Sequence, residues 1–459
     1  MALSKNRPNV LVFMLDTQRA DNVSCYGYDK PTTPNIDRLA AEGAVFLNNI
    51  SPATWTLPSV ASMMTGLHVH SHGASASYEG FCDRPTTIAE TLAPLGYRTI
   101  GLFANIYAVM SRKGFRETHM FEGGQGGLGP NCFALSRKRM EIAMRWLEYN
   151  SVKDRVPFFM YIQIMDPHMP LTPVSPFRER FALKDATEDE IKAIPLNPNS
   201  IHLGQARLTE RQYAIAKSLY DAETAGADSH AGVLMDYMRK ANILDDTVVI
   251  IMGDHGECYG EHKKMDGTDH FAHHLCLYEE LIRVPLVIRF PEAFPTGKRV
   301  ENLTQTHDIF PTLAELVRFE APQCQGFSLL SALGDKPART FTLTEYQKSV
   351  HMAGRLVDRA PDYDPRLHMR WLKAWRKDGL KYIWASDLRD ELYDLRKDPG
   401  ERHNLIQQMP EKATEMRLEM EKYLAALPHA NVGDYILPGK CGESGLNRLR
   451  GMEWFHDQR

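Results

Sequence analysis

Four continuous apolar runs constrain the fold of this chain more than any other feature of its sequence. They are Asn9–Leu15, Pro157–Met165, Thr247–Gly253 and Val284–Phe290. Apolar runs of this length without alternation are typical of strands buried on both faces of a parallel sheet. Helical patterns lie between them, among them Thr33–Gly43, Ser136–Glu148 and Glu210–Ala241. The sequence therefore predicts an α/β fold in which helices flank a large, mostly parallel sheet.

The pattern changes near Ala338, where short alternating segments replace the long apolar runs. FTLTEY, KYIWAS and ELYDL predict a small antiparallel sheet, and Pro410–Leu427 predicts a helix after it. A chain of 459 residues also exceeds the size at which one hydrophobic core keeps growing. We therefore expect a large domain over residues 1–337 and a small C-terminal α+β subdomain with a tail over residues 338–459.

Composition excludes several classes of partner. The net charge of −4 and the pI near 6.5 do not favour nucleic acid or an anionic membrane. No apolar run reaches the roughly 20 residues of a membrane span, and the N-terminus resembles a first strand more than a signal peptide. The seven cysteines are scattered and form no CxxC pair, which is typical of a reducing compartment. We expect a cytoplasmic protein with a small-molecule partner.

The glycine-rich stretch Gly123–Gly129 lacks the flanking strand and helix of a dinucleotide loop and predicts a flexible loop.

Polar side chains follow the predicted strands at their carboxyl ends, where open α/β sheets bind ligands. Asp16 follows the first run, and Asp254 and His255 follow the third. An Asp in that position also commonly caps a helix, so both interpretations of Asp16 stay open. Thr56 precedes a Pro-led helix that stops at Gly66, and its hydroxyl would lie at a helix N-terminus suited to an anion. Capping of that helix by Thr56 or Ser59 is the alternative.

Asp16, Thr56, Asp254 and His255 form a reasonable ligand set for one divalent metal. The imidazole favours Zn²⁺ or Mn²⁺ over Ca²⁺, which prefers oxygen ligands only. A metal ion on the Thr56 oxygen would acidify the hydroxyl and so produce a nucleophile. The histidines that follow (His262, His270, His273 and His274) predict a largely solvated loop; they also leave a second metal open.

The chain resembles a sulfatase-type member of the alkaline phosphatase superfamily over nearly its whole length. The segments that carry the resemblance are RPNVLVFMLDTQRADNVSCYGY, TTPNIDRLAAEGAVFLNN, TLPSVASMMTG, DPHMPL, YDAETAGADSHAGVLMDYM, TVVIIMGDHGE, LYEELIRVPLVIR, HDIFPTLAEL and ELYDLRKDPGERHNL. The resemblance implies an alkaline phosphatase-like catalytic domain, metal binding by Asp16, Asp254 and His255, and a nucleophile at Thr56. It also implies that His168 and either His273 or His274 line an anion pocket.

The chain departs from the sulfatase pattern at its reactive positions. Sulfatases carry CxPSR or SxPSR, from which formylglycine is made, whereas this chain has TLPSV. The two sulfatase lysines align with Ala104, next to Asn105, and with His274; the usual DN metal pair is DH here. These changes resemble the threonine-dependent phosphodiesterases, phosphonate hydrolases and phosphoryl transferases of the superfamily.

The leading hypothesis is a metal-dependent hydrolase of phosphate mono- or diesters, or of phosphonate esters. Thr56 is the nucleophile, and His168, His273 and His274 are candidates for the general acid. Asn105 and His72 are candidates for substrate contacts, although His72 can equally be a helix-end histidine that hydrogen-bonds backbone. The alternatives are a sulfate ester hydrolase that needs no formylglycine and a non-catalytic ligand-binding relative. The tail Pro428–Arg459 could form an arm that embraces another subunit in a homo-oligomer.

Overall fold

The computed structural model describes residues 7–74, 85–120, 132–194, 200–201, 203, 205–264, 267, 269–321, 324–347, 350–360 and 362–428. The predicted glycine-rich loop Gly123–Gly129 lies outside these residues, as does the predicted C-terminal arm beyond Pro428. None of the described helices combines the length and the apolar character that a membrane crossing requires.

An eight-stranded mixed sheet forms the centre of the protein, in the order β10-β2-β9-β6-β1-β5-β3-β4. Its strands are β1 Asn9–Leu15, β2 Ala44–Ile50, β3 Arg98–Phe103, β4 Glu117–Met120, β5 Phe158–Ile164, β6 Thr247–Gly253, β9 Leu286–Arg289 and β10 Lys298–Gln305. All neighbouring pairs are parallel except those of β9, which runs antiparallel to both β2 and β6. The predicted α/β fold with a mostly parallel sheet is confirmed.

The central strand β1 shows why these apolar runs form this sheet. Successive side chains of a strand point to opposite faces, and both faces are covered here. Val10, Val12 and Met14 pack into the core on one face, and the alternating residues Leu11 and Phe13 pack into the core on the other. A continuous apolar run is the only pattern that satisfies both cores, so alternation is absent.

The helices that the structure describes include those that cover both faces of this sheet. They are α1 Pro34–Glu42, α2 Thr56–Thr65, α3 Val69–His72, α4 Ile88–Leu92, α5 Ile106–Val109, α6 Cys132–Leu147, α7 Phe177–Phe181, α8 Glu188–Lys192, α9 Glu210–Lys240, α10 Glu279–Ile282, α11 Ile309–Val317, α12 Val350–Arg359 and α13 Pro410–Ala425. The longest, α9, starts at a capping box in which Thr209 and Gln212 satisfy each other's backbone N–H groups. The segment between β5 and α9 contains the short helices α7 and α8.

A second, four-stranded antiparallel sheet lies towards the C-terminus in the order β11-β12-β13-β14. Its strands are β11 Phe341–Tyr346, β12 Leu372–Lys377, β13 Leu380–Ala385 and β14 Glu391–Asp394, and α13 packs on it. The fully buried Lys381 of β13 joins this sheet to α10, since its ammonium group pairs with Glu279 of α10 at 3.1 Å and with Glu401 at 2.5 Å. The predicted small antiparallel sheet with a following helix is confirmed.

The sequence pattern predicted that the histidine-rich segment is a largely solvated loop. The structure shows that this prediction is wrong. The segment folds into a hairpin of β7 Cys258–Lys263 and β8 Asp269–Ala272. His262 and His270 are buried in it, and the ring of His262 stacks on Tyr278 with centroids 3.8 Å apart. Polar content suggested exposure, but aromatic packing and the carboxylate of Glu280, 3.1 Å from His262 Nε2, compensate for burial.

Candidate active site

The site forms at the carboxyl ends of two adjacent parallel strands. Leu15 of β1 pairs with Gly253 of β6, so the residues that follow each strand emerge side by side. These are Asp16 on one strand, and Asp254 and His255 on the other, all without solvent exposure. Gly256 then allows close packing, because a Cβ there would lie 1.9 Å from the carbonyl oxygen of Glu280.

The four predicted metal ligands come together around His255. Its Nε2 atom lies 3.8 Å from Asp16 Oδ1 and 3.6 Å from Asp254 Oδ2. The Thr56 hydroxyl oxygen lies 3.4 Å from the same nitrogen. Among the described residues, Asp16, Asp254 and His255 are the set of acidic, imidazole or thiol groups whose ligand atoms all lie within 4.8 Å of one another.

Each carboxylate has one oxygen held by hydrogen bonds and one that is not. Asp254 Oδ1 accepts the backbone N–H groups of Thr17 at 3.1 Å and His255 at 2.8 Å. Asp16 Oδ2 accepts the side-chain amides of Asn105 at 3.0 Å and Gln163 at 2.8 Å. Asp16 Oδ1 and Asp254 Oδ2, the oxygens that face His255, accept no hydrogen bond from the residues described.

A divalent cation fits these unsatisfied oxygens. Burial, followed by repulsion from Asp254, raises the pKa of the Asp16 carboxyl well above its ordinary value. Burial also lowers the pKa of His255, which keeps the imidazole neutral and able to bind a metal. Two buried carboxylates without a counter-charge are costly, and a metal ion removes that cost. The mixed oxygen and nitrogen donors suit an ion of the zinc or manganese type.

Thr56 is the first residue of α2, and only 2 % of its surface is exposed. Trp55 precedes it in an extended conformation, so the hydroxyl lies at the helix N-terminus beside unpaired backbone N–H groups. Two hydroxyls, Ser51 and Ser59, donate to the backbone carbonyl of Asp254 at 2.6 Å and 2.7 Å. They attach the start of α2 to the strand end that carries the metal ligands. Gly66, at φ 71°, ends the helix as the sequence predicted.

Seven residues line a small cavity over the Thr56 hydroxyl: Trp55, Thr56, Asn105, Tyr107, His168, His273 and His274. The cavity has a volume of about 50 Å³. Pockets that enclose a whole drug-sized ligand measure roughly 300–1,000 Å³. The cavity therefore suits a single tetrahedral anionic group. Trp55 and Tyr107, in edge contact with ring centroids 5.6 Å apart, form part of its wall.

Comparison with known proteins now identifies the family. Residues 8–319 match the sequence profile of the family described as Sulfatase, which is more than half of the chain. The chain belongs to the sulfatase family. Residues 267–429 also match the profile described as N-sulphoglucosamine sulphohydrolase, C-terminal. A sulfatase-family chain with this site is an enzyme that hydrolyses ester bonds.

Proteins with differently named activities resemble this sulfatase-family chain to similar degrees. Arylsulfatase K of Bos taurus is 24% identical over 497 residues, covering 98% of this chain and 89% of that protein. The multifunctional alkaline phosphatase superfamily protein PehA of Trinickia caryophylli is 25% identical, covering 87% and 91%. The crystal structure of phosphonate monoester hydrolase of Agrobacterium radiobacter superimposes with a TM-score of 0.74 at 20% identity, covering 92% and 96%. At this identity the structural match establishes the fold.

Two of the positions where this sulfatase-family chain departs from the family pattern, Thr56 and His274, line the cavity, and so does Asn105, the neighbour of a third. Asn105, beside the position of one sulfatase lysine, donates from Nδ2 to the Thr56 oxygen at 3.2 Å. His274, at the position of the other lysine, lines the cavity and packs against Trp55 with ring centroids 5.5 Å apart. Among the cavity residues that the structure describes there is no lysine or arginine. The structure brings both His273 and His274 to the cavity, where the sequence left the choice open.

Burial disfavours the charged form of two of the cavity histidines, His168 and His273. The Nδ1–H of His168 donates to the carbonyl of Met169, which directs Nε2 towards the cavity. Burial, then the nearby His273 ring, lowers the pKa of His168 to about 4. Burial likewise lowers the pKa of His273 to about 4. An incoming anion would raise both values, because it favours the imidazolium form.

His72, which the sequence offered as a candidate for a substrate contact, does not line the cavity. Its Nε2 is 2.8 Å from Ser62 Oγ, and its Nδ1 accepts the Ala74 N–H at 3.0 Å. This geometry corresponds to the helix-end histidine that the sequence offered as the alternative, and it gives a substrate contact by His72 no support.

Sequence reasoning missed four residues of the site. Gln163 and Glu257 are fully buried polar residues that contact site residues, and Trp55 and Tyr107 form a wall of the cavity. A polar residue inside an otherwise apolar strand was the available signal for Gln163. Position next to Thr56 and Asn105 was the signal for the two aromatic residues.

Proposed function

We propose that this protein hydrolyses phosphate diesters or phosphonate monoesters, with Thr56 as the nucleophile. The position of the Thr56 hydroxyl carries the proposal. Its oxygen lies 3.4 Å from His255 Nε2, and Thr56 is the first residue of the helix α2. A role in capping α2 alone would not explain why this side chain lies next to the three metal-ligand candidates Asp16, Asp254 and His255. The structural similarity to phosphonate monoester hydrolase of Agrobacterium radiobacter agrees with this chemistry.

Asp16, Asp254, His255 and the Thr56 oxygen would hold one divalent ion, for which we propose Mn²⁺ or Zn²⁺. When bound, such an ion lowers the pKa of a coordinated hydroxyl and draws negative charge into the site. Asp16 Oδ1 and Asp254 Oδ2 are the oxygens available to it.

The chain's own residues then carry out the transfer in two steps. The Thr56 hydroxyl, held by Asn105 Nδ2, gives its proton to a neutral cavity histidine, and its oxygen forms a bond to phosphorus while the bond to the leaving oxygen breaks. His168 or His273 gives the leaving oxygen a proton, since both line the cavity. Water then gives a proton to the same histidine and attacks the phosphorus atom bound to Thr56. The bond between the Thr56 oxygen and phosphorus breaks, the histidine returns the proton to that oxygen, and a phosphate monoester or a phosphonate is released. The N–H groups at the start of α2 stabilise the negative charge on the phosphoryl oxygens.

The charge of the cavity favours a substrate group with one negative charge. Within the described residues that line it, the basic groups are histidines, and burial makes the pKa of two of them low. A phosphate monoester is largely a dianion at neutral pH, so it needs more positive charge than this cavity supplies. Diesters and phosphonate monoesters carry one negative charge at the reacting group.

Sulfate ester hydrolysis by the same threonine is the second candidate. The match to the Sulfatase profile and the similarity to arylsulfatase K support it. A sulfate monoester also carries a single negative charge, so the cavity does not discriminate against it by charge. A ligand-binding relative without catalysis is the third interpretation, and the intact set of metal ligands argues against it.

The test compares turnover of a nitrophenyl phosphodiester, a nitrophenyl phosphonate, the matching phosphate monoester and the matching sulfate by one Mn²⁺-loaded preparation. We expect the phosphodiester and the phosphonate to exceed the sulfate and the monoester in kcat/KM by about 10-fold or more, a difference of roughly 1.4 kcal/mol. A preference for the sulfate would replace the proposal with the second candidate. No turnover of any ester, together with no metal binding, would leave the non-catalytic interpretation.

A further inference from the structure

Gln163 is a polar residue in the buried strand β5, with no solvent exposure. It pairs in register with Met14 of β1, two residues before Asp16. The strand is otherwise apolar apart from the Tyr161 hydroxyl, so an amide at this position needs internal partners. All of the hydrogen-bond partners recorded for its side chain belong to the site.

The two ends of the Gln163 amide serve different parts of the site. Nε2 donates to Asp16 Oδ2 at 2.8 Å. Oε1 accepts the backbone N–H groups of Asn105 at 3.2 Å and Ala104 at 3.4 Å. The partners fix the orientation of the amide, because only its NH₂ end can donate to a carboxylate and only its oxygen can accept from N–H groups.

Asn105 continues the connection to the nucleophile. Its Oδ1 accepts the backbone N–H of Tyr107 at 2.9 Å, which turns Nδ2 towards the site. Nδ2 then donates to Asp16 Oδ2 at 3.0 Å and to the Thr56 oxygen at 3.2 Å. A shift of the backbone at Asn105 would therefore move a hydrogen bond to Thr56 itself.

We propose that Gln163 is a positioning residue for both the metal ligand and the nucleophile. With Asn105 it occupies Asp16 Oδ2, so that Asp16 presents only Oδ1 to a cation, and it anchors the backbone from which Asn105 reaches Thr56. Partners of this kind orient metal ligands, and their loss typically weakens metal affinity or activity by about 10–100-fold. The inference rests on the proposed function for the role of Thr56, but the effect on metal binding is measured separately.

The competing interpretation is that Gln163 only satisfies two backbone N–H groups in the core. Gln305 offers a matched control, because it is equally buried and makes the same kinds of contact. Its Nε2 donates to the Leu343 carbonyl at 2.8 Å, and its Oε1 accepts the Leu343 N–H at 3.1 Å and Arg339 Nη1 at 3.0 Å. None of these partners lines the cavity or belongs to the metal-ligand set.

The experiment titrates metal-free full-length protein with Mn²⁺ for wild type, Gln163→Met and Gln305→Met, and records the thermal midpoint of each. Methionine keeps the shape of the side chain and removes both polar groups. We expect the Kd for Mn²⁺ to rise about 10–100-fold in Gln163→Met and to stay within about 3-fold of wild type in Gln305→Met. At saturating Mn²⁺, kcat of Gln163→Met should fall by a similar factor while KM changes less than about 3-fold.

A wild-type Kd and kcat in Gln163→Met would overturn the proposal, as would equal losses of Mn²⁺ affinity in both variants. Gln163→Asn decides the question if Gln163→Met does not fold. Its side chain keeps the amide but is one methylene too short to reach Asp16 and the Asn105 backbone together, so its Kd should rise too. If Thr56→Ala keeps full turnover, the proposed function fails, whereas the effect of Gln163 on Mn²⁺ affinity stands or falls on the titration alone.

Discussion

His273 Nδ1 lies 3.0 Å from Oε1 of Glu257, a carboxyl group without solvent exposure. Glu257 follows the metal-ligand candidate His255 by two residues, so the strand end that supplies the ligands also orients a cavity histidine. The hydrogen bond fixes the plane of the His273 ring and leaves Nε2 for the cavity.

Replacing Glu257 with Met should lower kcat by about 10–100-fold, because the His273 ring loses the partner that orients it. Glu257→Gln keeps an oxygen that can accept from Nδ1 and should lose much less. Steady-state kinetics at saturating metal, with the thermal midpoint of each variant, measures both. Equal losses in Met and Gln variants of equal stability would contradict an orienting role for this hydrogen bond.

Removing one of the two buried carboxylates should stabilise the metal-free protein. Burial and repulsion from Asp254 disfavour the ionised form of Asp16, as its raised pKa indicates. Asp16→Asn should therefore raise the thermal midpoint of chelator-treated protein by about 2 °C or more, and should abolish the rise that added Mn²⁺ produces in wild type. Differential scanning calorimetry with and without Mn²⁺ measures both effects.

Asp228→Asn is the matched control for that prediction. Asp228 is also buried, but its oxygens accept the backbone N–H groups of Asn35 and Ile36. Its replacement should lower the midpoint and leave the Mn²⁺-induced rise intact. A normal Mn²⁺ response in Asp16→Asn would exclude Asp16 from the metal site.

Thr56→Ala should reduce turnover by about 10³-fold or more while the fold and most of the metal affinity remain, since Asp16, Asp254 and His255 are unchanged. Thr56→Ser retains a hydroxyl at the start of α2 and should keep measurable turnover. Rapid-quench analysis of the wild-type enzyme should also detect phosphate on Thr56. Retention of most activity in the Ala variant would rule out Thr56 as the nucleophile.

His72 should make stability depend on pH below neutrality. Burial lowers its pKa from 6.5 to about 4, so the unfolded state binds its proton more readily than the folded state. The stability that this neutral histidine contributes is present above pH 6.5 and is lost as the pH falls towards 4. The full loss is about 3 kcal/mol, at 1.36 kcal/mol per unit of pKa.

His72→Asn should flatten this dependence, because Asn keeps an acceptor for the Ala74 N–H and does not titrate. We expect a lower midpoint than wild type at pH 7 but a smaller fall between pH 7 and pH 5. Part of the fall should remain, since burial also lowers the pKa values of His68 and His307. Parallel curves for the two proteins would show that His72 is not a source of acid sensitivity.

The sequence by itself determined the elements that carry strong local signals. Continuous apolar runs identified β1, β5 and β6, because a strand covered on both faces leaves no position for alternation. The parallel direction of these strands then placed Asp16, Asp254 and His255 at one edge of the sheet. Pro58 and Gly66 marked the helix that begins at Thr56, since proline and glycine act through backbone geometry alone.

Only the tertiary structure decided which polar groups meet across the chain. The sequence of β9 does not indicate that this strand runs antiparallel to β6. The direction of a strand depends on the path of the chain that connects it to the preceding strand. Gln163 contacts Asp16 across 147 residues of sequence, and Glu257 contacts His273 from the other side of a hairpin. A buried amide or carboxyl group has the same local pattern whether it supports a core or a reactive site. Its function follows from its partners, and those are set by packing.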